Sequence, residues 1–206
     1  MLHHQALTYR LVCLAVGYGF GSFLTAELVA RLLTGKSARQ IGTGNPGMAN
    51  VMIHLGKAAG FAVLAGDAAK TAAACGISYF AAAQAIGHAA VLYAGLGAIL
   101  GHNFPLWFGG KGGKGVAVSC VWLMLYLPVT GVLCCMAGGA LVLALGYLPL
   151  GAVVIPAVAV PMAWVQFGAE SGLGVLAAAV LMLTRHYHGL RRIAEGTEPR
   201  FFSRRP

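Results

Sequence analysis

Apolar runs dominate this chain, and polar residues arrive in a few short bursts between them. A membrane-crossing helix needs about 20 apolar residues, with a range of about 17–25. Runs near that length fall at 11–33, 58–79, 83–101, 116–128, 130–148, 150–168 and 172–188. They predict an all-α integral membrane protein: a polytopic helical bundle of about seven transmembrane helices, forming a single membrane domain over 1–206. The fourth run is short and ends at Pro128. It is therefore read as tilted, partial or buried by its neighbours, and six spans is the fallback count.

Composition supports the same class. The chain is 59% hydrophobic and 9% charged, against about 25% charged in a soluble domain, and its mean hydropathy is +0.79. So few charges cannot cover a water-facing surface. A net charge of +9 would point to nucleic acid in a soluble protein. Here the basic residues lie between apolar runs and in the tail, where they set orientation instead, and no nucleic-acid partner is expected.

With the N-terminus outside and the C-terminus cytoplasmic, Arg31, Lys36, Arg39, Lys57, Lys111, Lys114, Arg185, Arg191, Arg192, Arg200, Arg204 and Arg205 fall inside or at the inner edge. That is twelve of fourteen; Arg10 faces outward and Lys70 lies within the second span. The first run has no small-residue cleavage site close behind it and is read as a retained span. The five cysteines sit in or beside apolar runs with no C-x-x-C pair. They read as apolar packing residues, with no metal site and no disulfide framework.

Two Gly-rich loops on the inner face carry the candidate chemistry. "GTGNPG" (42–47) and "GKGGKG" (110–115) both fit G-x-G-x-x-G. A dinucleotide fingerprint needs a strand before it and a helix after it, whereas each loop here leaves one membrane helix for the next. A Walker A loop fails as well, because Gly115 stands where Ser or Thr should follow. Glycines free the backbone to aim N–H groups at an anion.

The first loop adds Arg39, Thr43, Asn45 and Asn50, framed by Gly42, Gly44 and Gly47. The second adds His102, Asn103, Lys111 and Lys114, framed by Gly112, Gly113 and Gly115. Two such loops on one face suggest two phosphate groups; the alternative is a pair of ordinary tight turns with lysines as topology anchors. Asp67 and Lys70, at i, i+3 within the second span, share a helix face. They read as a structural ion pair, with a site role left open. His186 stands at the inner membrane edge, either as an interfacial anchor or as a proton-transfer group.

Taken in order, "GTGNPGMAN", the D-x-x-K of the second span, "GHNFPLWFGGKGGKGVA" and "H…GTEP" resemble the motifs of the PlsY family. These are bacterial membrane acyltransferases that move a fatty acyl group from acyl phosphate to glycerol 3-phosphate. The resemblance runs from about residue 17 to 201. It implies seven helices, a bacterial cytoplasmic (inner) membrane location, and a site on the cytoplasmic side among three polar loops. Lysophosphatidate and phosphate are the implied products, and no cofactor is implied.

The implied partners are glycerol 3-phosphate, acyl phosphate, membrane lipid and a soluble enzyme that supplies acyl phosphate. Carried over residue by residue, the resemblance places Arg39, Thr43 and Asn45 in the first motif. His102, Asn103, Lys111 and Lys114 fall in the second, and His186 in the third. His186, Lys114, Thr43 and Asn45 are the expected catalytic set; the remaining loop residues are expected to bind substrate phosphates.

This chain departs from the family pattern at Ser37, Thr43, Met48, Ala49 and Thr71. It also departs at His188-Gly189, where Glu-Asn is usual. The competing readings are an organic-phosphate transporter and a divergent member with another acceptor or lapsed activity. No H-x-x-x-x-D follows any histidine and no G-x-S-x-G occurs, which argues against the acyl-CoA class using that pair and against a nucleophile elbow.

Overall fold

The computed structural model describes residues 2–203, and its regular elements are all helical among those residues. The helices are α1 (Leu2–Ser22), α2 (Thr25–Thr34), α3 (Met48–Leu55), α4 (Lys57–Ile86), α5 (Ala89–Asn103), α6 (Val116–Tyr126), α7 (Pro128–Leu145), α8 (Leu148–Phe167) and α9 (Ala169–Ala194). Short 3-10 turns occur at Ala38–Gln40 and Leu106–Phe108. Arg204 and Arg205, counted above among the inner basic residues, lie outside the described residues. Among the described residues, four segments are long and apolar enough to cross a membrane: His4–Thr34, Ala89–Phe108, Pro128–Leu145 and Leu148–Phe167. At 30 and 26 residues, α4 and α9 have the length, but charged side chains interrupt them.

The chain divides into two compact units, Met1–Trp122 and Leu123–Pro206, with the boundary inside α6. In the first unit α1 lies directly on α5. Gly17 and Gly21 face Ala94 and Ala98, while Gly97 and Gly101 face Leu14, Tyr18 and Ser22, and a Cβ at any of the four would collide with the partner backbone. Small residues one turn apart are what let two membrane helices approach this closely. The indole of Trp122 fills the space left by Gly95 and donates to the Val91 carbonyl at 3.1 Å.

The first predicted span is broken. The run 11–33 folds as the end of α1 and as α2, separated at Phe23-Leu24. The Glu27 N–H donates to the Leu24 carbonyl in place of the Phe23 carbonyl that a continuous helix would use. The released Phe23 oxygen accepts instead from Lys70 Nζ at 2.7 Å. A buried ammonium in α4 therefore uses the break. Residues 48–55, read in the sequence as part of a loop, form the short helix α3.

The second unit packs α7, α8 and α9. Pro128, which ends the fourth apolar run, opens α7, where its missing N–H costs nothing. Gly138 of α7 meets Gly151 of α8, and Pro149 of α8 fills the space above Gly189 of α9. The Tyr126 hydroxyl and the Ser171 hydroxyl share a short hydrogen bond. After α9 the chain turns back: the Thr197 and Glu198 N–H groups donate to the Arg192 carbonyl, and the Glu198 carboxylate accepts from Arg192 Nε at 2.7 Å. Large apolar side chains remain on the outside of both units, Phe80 at 88% and Val165 at 84% exposure. Such faces suit lipid and not water.

Candidate active site

The polar loops of the first unit are built from α2 outward. Glu27, 4% exposed, is an acid that the apolar pattern conceals. Its carboxylate accepts from the Ser37 hydroxyl at 2.8 Å, the Ala38 N–H at 3.0 Å and Arg31 Nε at 2.6 Å. Ser37 also caps the Ala38–Gln40 turn in a reciprocal capping box with Gln40. These bonds fix the residues immediately before Arg39. Sequence reading missed Glu27; its signal was a lone acid four residues before Arg31 in an otherwise apolar run.

From there the Arg39 guanidinium crosses to the second loop. It donates to the carbonyls of Phe108 and Lys111 and stacks over the Phe108 ring, with Cζ 5.1 Å from the centroid. A planar guanidinium can make all three contacts at once. Arg39 thus fastens the two Gly-rich loops to each other.

Within the first loop, Asn50 is the organiser. Its Oδ1 accepts from the Thr43 N–H at 2.9 Å and the Thr43 hydroxyl at 3.1 Å, and its Nδ2 donates to the Ile41 carbonyl at 2.9 Å. His54 Nδ1 bonds the Asn50 carbonyl at 3.0 Å. Gly42, with φ +52°, passes so close to His54 and Asn50 that a side chain there would strike both.

The sequence predicted open N–H groups aimed at an anion, and several of these groups are in fact used internally. Gly44 donates to Ile41, Gly47 to Asn45, Gly112 to Asn103 and Gly113 to His102. The reason is elementary: a backbone N–H left unpaired in a tight loop costs free energy. These four glycines shape the loops, and the polar side chains and helix starts are what they hold in place. Thr43 is exposed, Lys111 is exposed, and Asn45 and Lys114 are half-buried. α3 begins after Gly47 with no side-chain cap, and α6 begins directly after Gly115.

Beneath the second loop lies a buried polar cluster. Lys70 Nζ donates to Asp67 Oδ1 at 2.7 Å, to the Phe23 carbonyl at 2.7 Å and to His102 Nδ1 at 3.0 Å. Thr25 Oγ1 donates to the same Asp67 oxygen at 3.1 Å. The expected Asp67–Lys70 pair is therefore present, and His102 joins it. Asn103 is fully buried, and neither its Oδ1 nor its Nδ2 has a hydrogen-bond partner among the described residues. An unsatisfied buried amide costs about 1–3 kcal/mol. An apolar groove of about 840 Å³ runs along α1 and α4, lined by Ala15, Gly19, Phe23, Gly66 and Ala69, with Lys70 in its wall.

In the second unit, His186 is 3% exposed. Its Nδ1 lies 3.0 Å from the Met182 carbonyl. A carbonyl only accepts, so Nδ1 carries the proton and, in a neutral ring, Nε2 carries the lone pair. Gly189, where the family pattern has Asn, sits under Pro149; an Asn side chain would have to displace that ring.

Comparison with known proteins bears on the family and the fold. Residues 11–196 match the family model for glycerol-3-phosphate acyltransferase. A glycerol-3-phosphate acyltransferase of Lactobacillus johnsonii is 38% identical over 175 residues, covering 84% of this chain and 82% of that one. A second, from Coxiella burnetii, is 34% identical over 189 residues, covering 91% of this chain and 96% of the relative. The fold resembles crystal structures of PlsY, an integral membrane glycerol 3-phosphate acyltransferase, solved in glycerol 3-phosphate and lysophosphatidic acid forms. The glycerol 3-phosphate form has a TM-score of 0.80 and 26% identity, with 95% of each chain covered. This chain is an integral membrane protein and belongs to the glycerol-3-phosphate acyltransferase family.

Proposed function

We propose that this chain transfers a fatty acyl group from acyl phosphate to glycerol 3-phosphate, releasing lysophosphatidate and phosphate, at the cytoplasmic face of a bacterial inner membrane. The observation that carries the reading is the Arg39 clasp, which joins two glycine-shaped loops into one polar platform. A donor and an acceptor that each bear a phosphate call for two anion-binding elements held at fixed separation. Membership of the family supports the acceptor, and the family resemblance supports acyl phosphate as donor. Seven crossings with the N-terminus outside would put both loops on the cytoplasmic side, together with most of the basic residues.

An acyl phosphate is a mixed anhydride with a good leaving group, so no covalent enzyme intermediate is needed. Positioning then supplies much of the rate, since a well-oriented pair can gain about 7–11 kcal/mol over free encounter. Lys111 and Lys114 supply charge for the phosphates, and the uncapped start of α3 supplies a partial positive end. Thr43 and Asn45, which share the loop held by Asn50, hydrogen-bond the substrates. His186, with its lone pair on Nε2, accepts the proton of the attacking hydroxyl; this role rests on its tautomer and its motif. The groove along α1 and α4 suits an acyl chain entering from the bilayer.

The decisive assay reconstitutes the purified protein in lipid with palmitoyl phosphate and glycerol 3-phosphate, and follows lysophosphatidate and phosphate together. Equal release of both, with no product from palmitoyl-CoA, is the expected result. A folded sample that yields neither product would sink the reading. Uptake of labelled glycerol phosphate by the same liposomes would then favour a transporter.

A further inference from the structure

The buried cluster at Lys70 has a consequence beyond the reaction itself. An ammonium has three N–H donors and no acceptor. Lys70 uses one on Asp67 Oδ1, one on the Phe23 carbonyl and one on His102 Nδ1. The third bond fixes the state of the ring. Were Nδ1 protonated, two N–H groups would point at each other over 3.0 Å, inside a region where Asp67, Lys70 and His102 are all under 8% exposed. The lone pair must therefore be on Nδ1 and the proton on Nε2.

Asp67 does not compete for that position. Its Oδ1 is 3.8 Å from His102 Nδ1, against 2.7 Å from Lys70 Nζ, and it also accepts from Thr25. At its other edge, His102 Nε2 lies against Gly113, on the side where the Pro46 carbonyl of the first loop also approaches. A Cβ on Gly113 would collide with Nε2 and lie 2.9 Å from the Pro46 oxygen. The backbone of His102 accepts from the Gly113 N–H at 3.0 Å as well.

We infer that Lys70, anchored by Asp67, is a positioning residue that holds His102 as its neutral Nε2–H tautomer, so that His102 presents a donor where the two Gly-rich loops meet and never serves as the base. Asp67 holds the ammonium in place, and the break at Phe23-Leu24 supplies its second acceptor. The catalytic consequence rests on the acyltransferase reading; the tautomer does not. With His102 limited to donation, proton acceptance falls to another group.

The test is the ¹⁵N NMR spectrum of histidine-labelled full-length protein in lipid nanodiscs without substrate, with the His102 signals identified by their loss in His102→Gln. The expected spectrum at neutral pH shows an unprotonated Nδ1 and a protonated Nε2. In Lys70→Met the single tautomer is expected to give way to a mixture or to a doubly protonated ring facing Asp67, while Lys70→Arg, which retains donors, keeps the wild-type signature. A wild-type ring protonated on Nδ1 overturns the inference, and so does an unchanged tautomer in Lys70→Met. If Lys70→Met does not fold, the wild-type and Lys70→Arg spectra decide it, and loss of the Nε2–H form in Lys70→Arg overturns it. Because no turnover is involved, failure here is distinguishable from failure of the acyltransferase assay.

Discussion

Two buried histidines, one in each unit of the chain, have opposite partners at the same ring nitrogen and therefore opposite proton positions. His102 meets a donor, Lys70 Nζ, at its Nδ1; His186 meets an acceptor, the Met182 carbonyl, at the same ring atom. One hydrogen bond on Nδ1 therefore leaves a donor at Nε2 of His102 and a lone pair at Nε2 of His186. Residue type does not settle whether a histidine gives or takes a proton. The group on its far side does.

The comparison can be broken at its strongest point by replacing each histidine with glutamine, which keeps a donor but has no basic nitrogen. His186→Gln is expected to lower kcat by about 10²–10⁴, the usual worth of a general base. His102→Gln is expected to retain turnover within about tenfold, because a donated hydrogen bond is worth only about 0.5–1.5 kcal/mol net. Steady-state rates of lysophosphatidate release compare the two directly, and equal losses would erase the distinction.

A second test removes the clasp that holds the His102 side together. Arg39→Lys keeps the charge but loses the planar fork and the stacking on Phe108. The expected outcome is a fall of about 10–100-fold in kcat/KM for both substrates, measured by varying each in turn. A change confined to one substrate would show that Arg39 acts on a phosphate and not on the loops.

Smaller effects test the packing beneath each ring. Gly113→Ala puts a methyl against His102 Nε2 and is expected to cost about 1–3 kcal/mol, seen as a lower unfolding temperature in detergent. Gly109→Ala, with φ +59° and open space around it, is expected to cost about 1 kcal/mol for its backbone alone. In the His186 region, Gly189→Asn restores the family residue but pushes on Pro149. It is expected to lower stability by about 1–3 kcal/mol with no gain in activity. An active, fully stable variant would mean that Pro149 moves aside freely.

Much of this was legible in the chain before folding. Although the run 11–33 folds as two helices and α3 reads as loop, length and spacing of the apolar runs gave α7 and α8 to within a few residues, against 130–148 and 150–168. Hydrophobic burial in lipid leaves little choice of structure there. The two loops and their glycines stood out because those residue types interrupt the apolar runs, and His186 because it lies at the end of the last one. Glu27 did not, since one carboxylate inside an apolar run reads as a flaw until its three donors are seen. The break at Phe23-Leu24 was hidden as well: the ammonium that uses its freed carbonyl, Lys70, lies 47 residues away.

The sequence by itself determined that this is a helical membrane protein, which family it resembles and which polar residues stand between or within its apolar runs. Those follow from composition and order, and they survive any rearrangement of side chains. Only the tertiary structure decided that Arg39 and Asn50 tie the loops, that several glycine N–H groups turn inward, and that His102 and His186 hold their protons on opposite nitrogens. Each depends on hydrogen-bond partners brought together by the fold. A hydrogen bond is set by ångström distances that no residue pattern records.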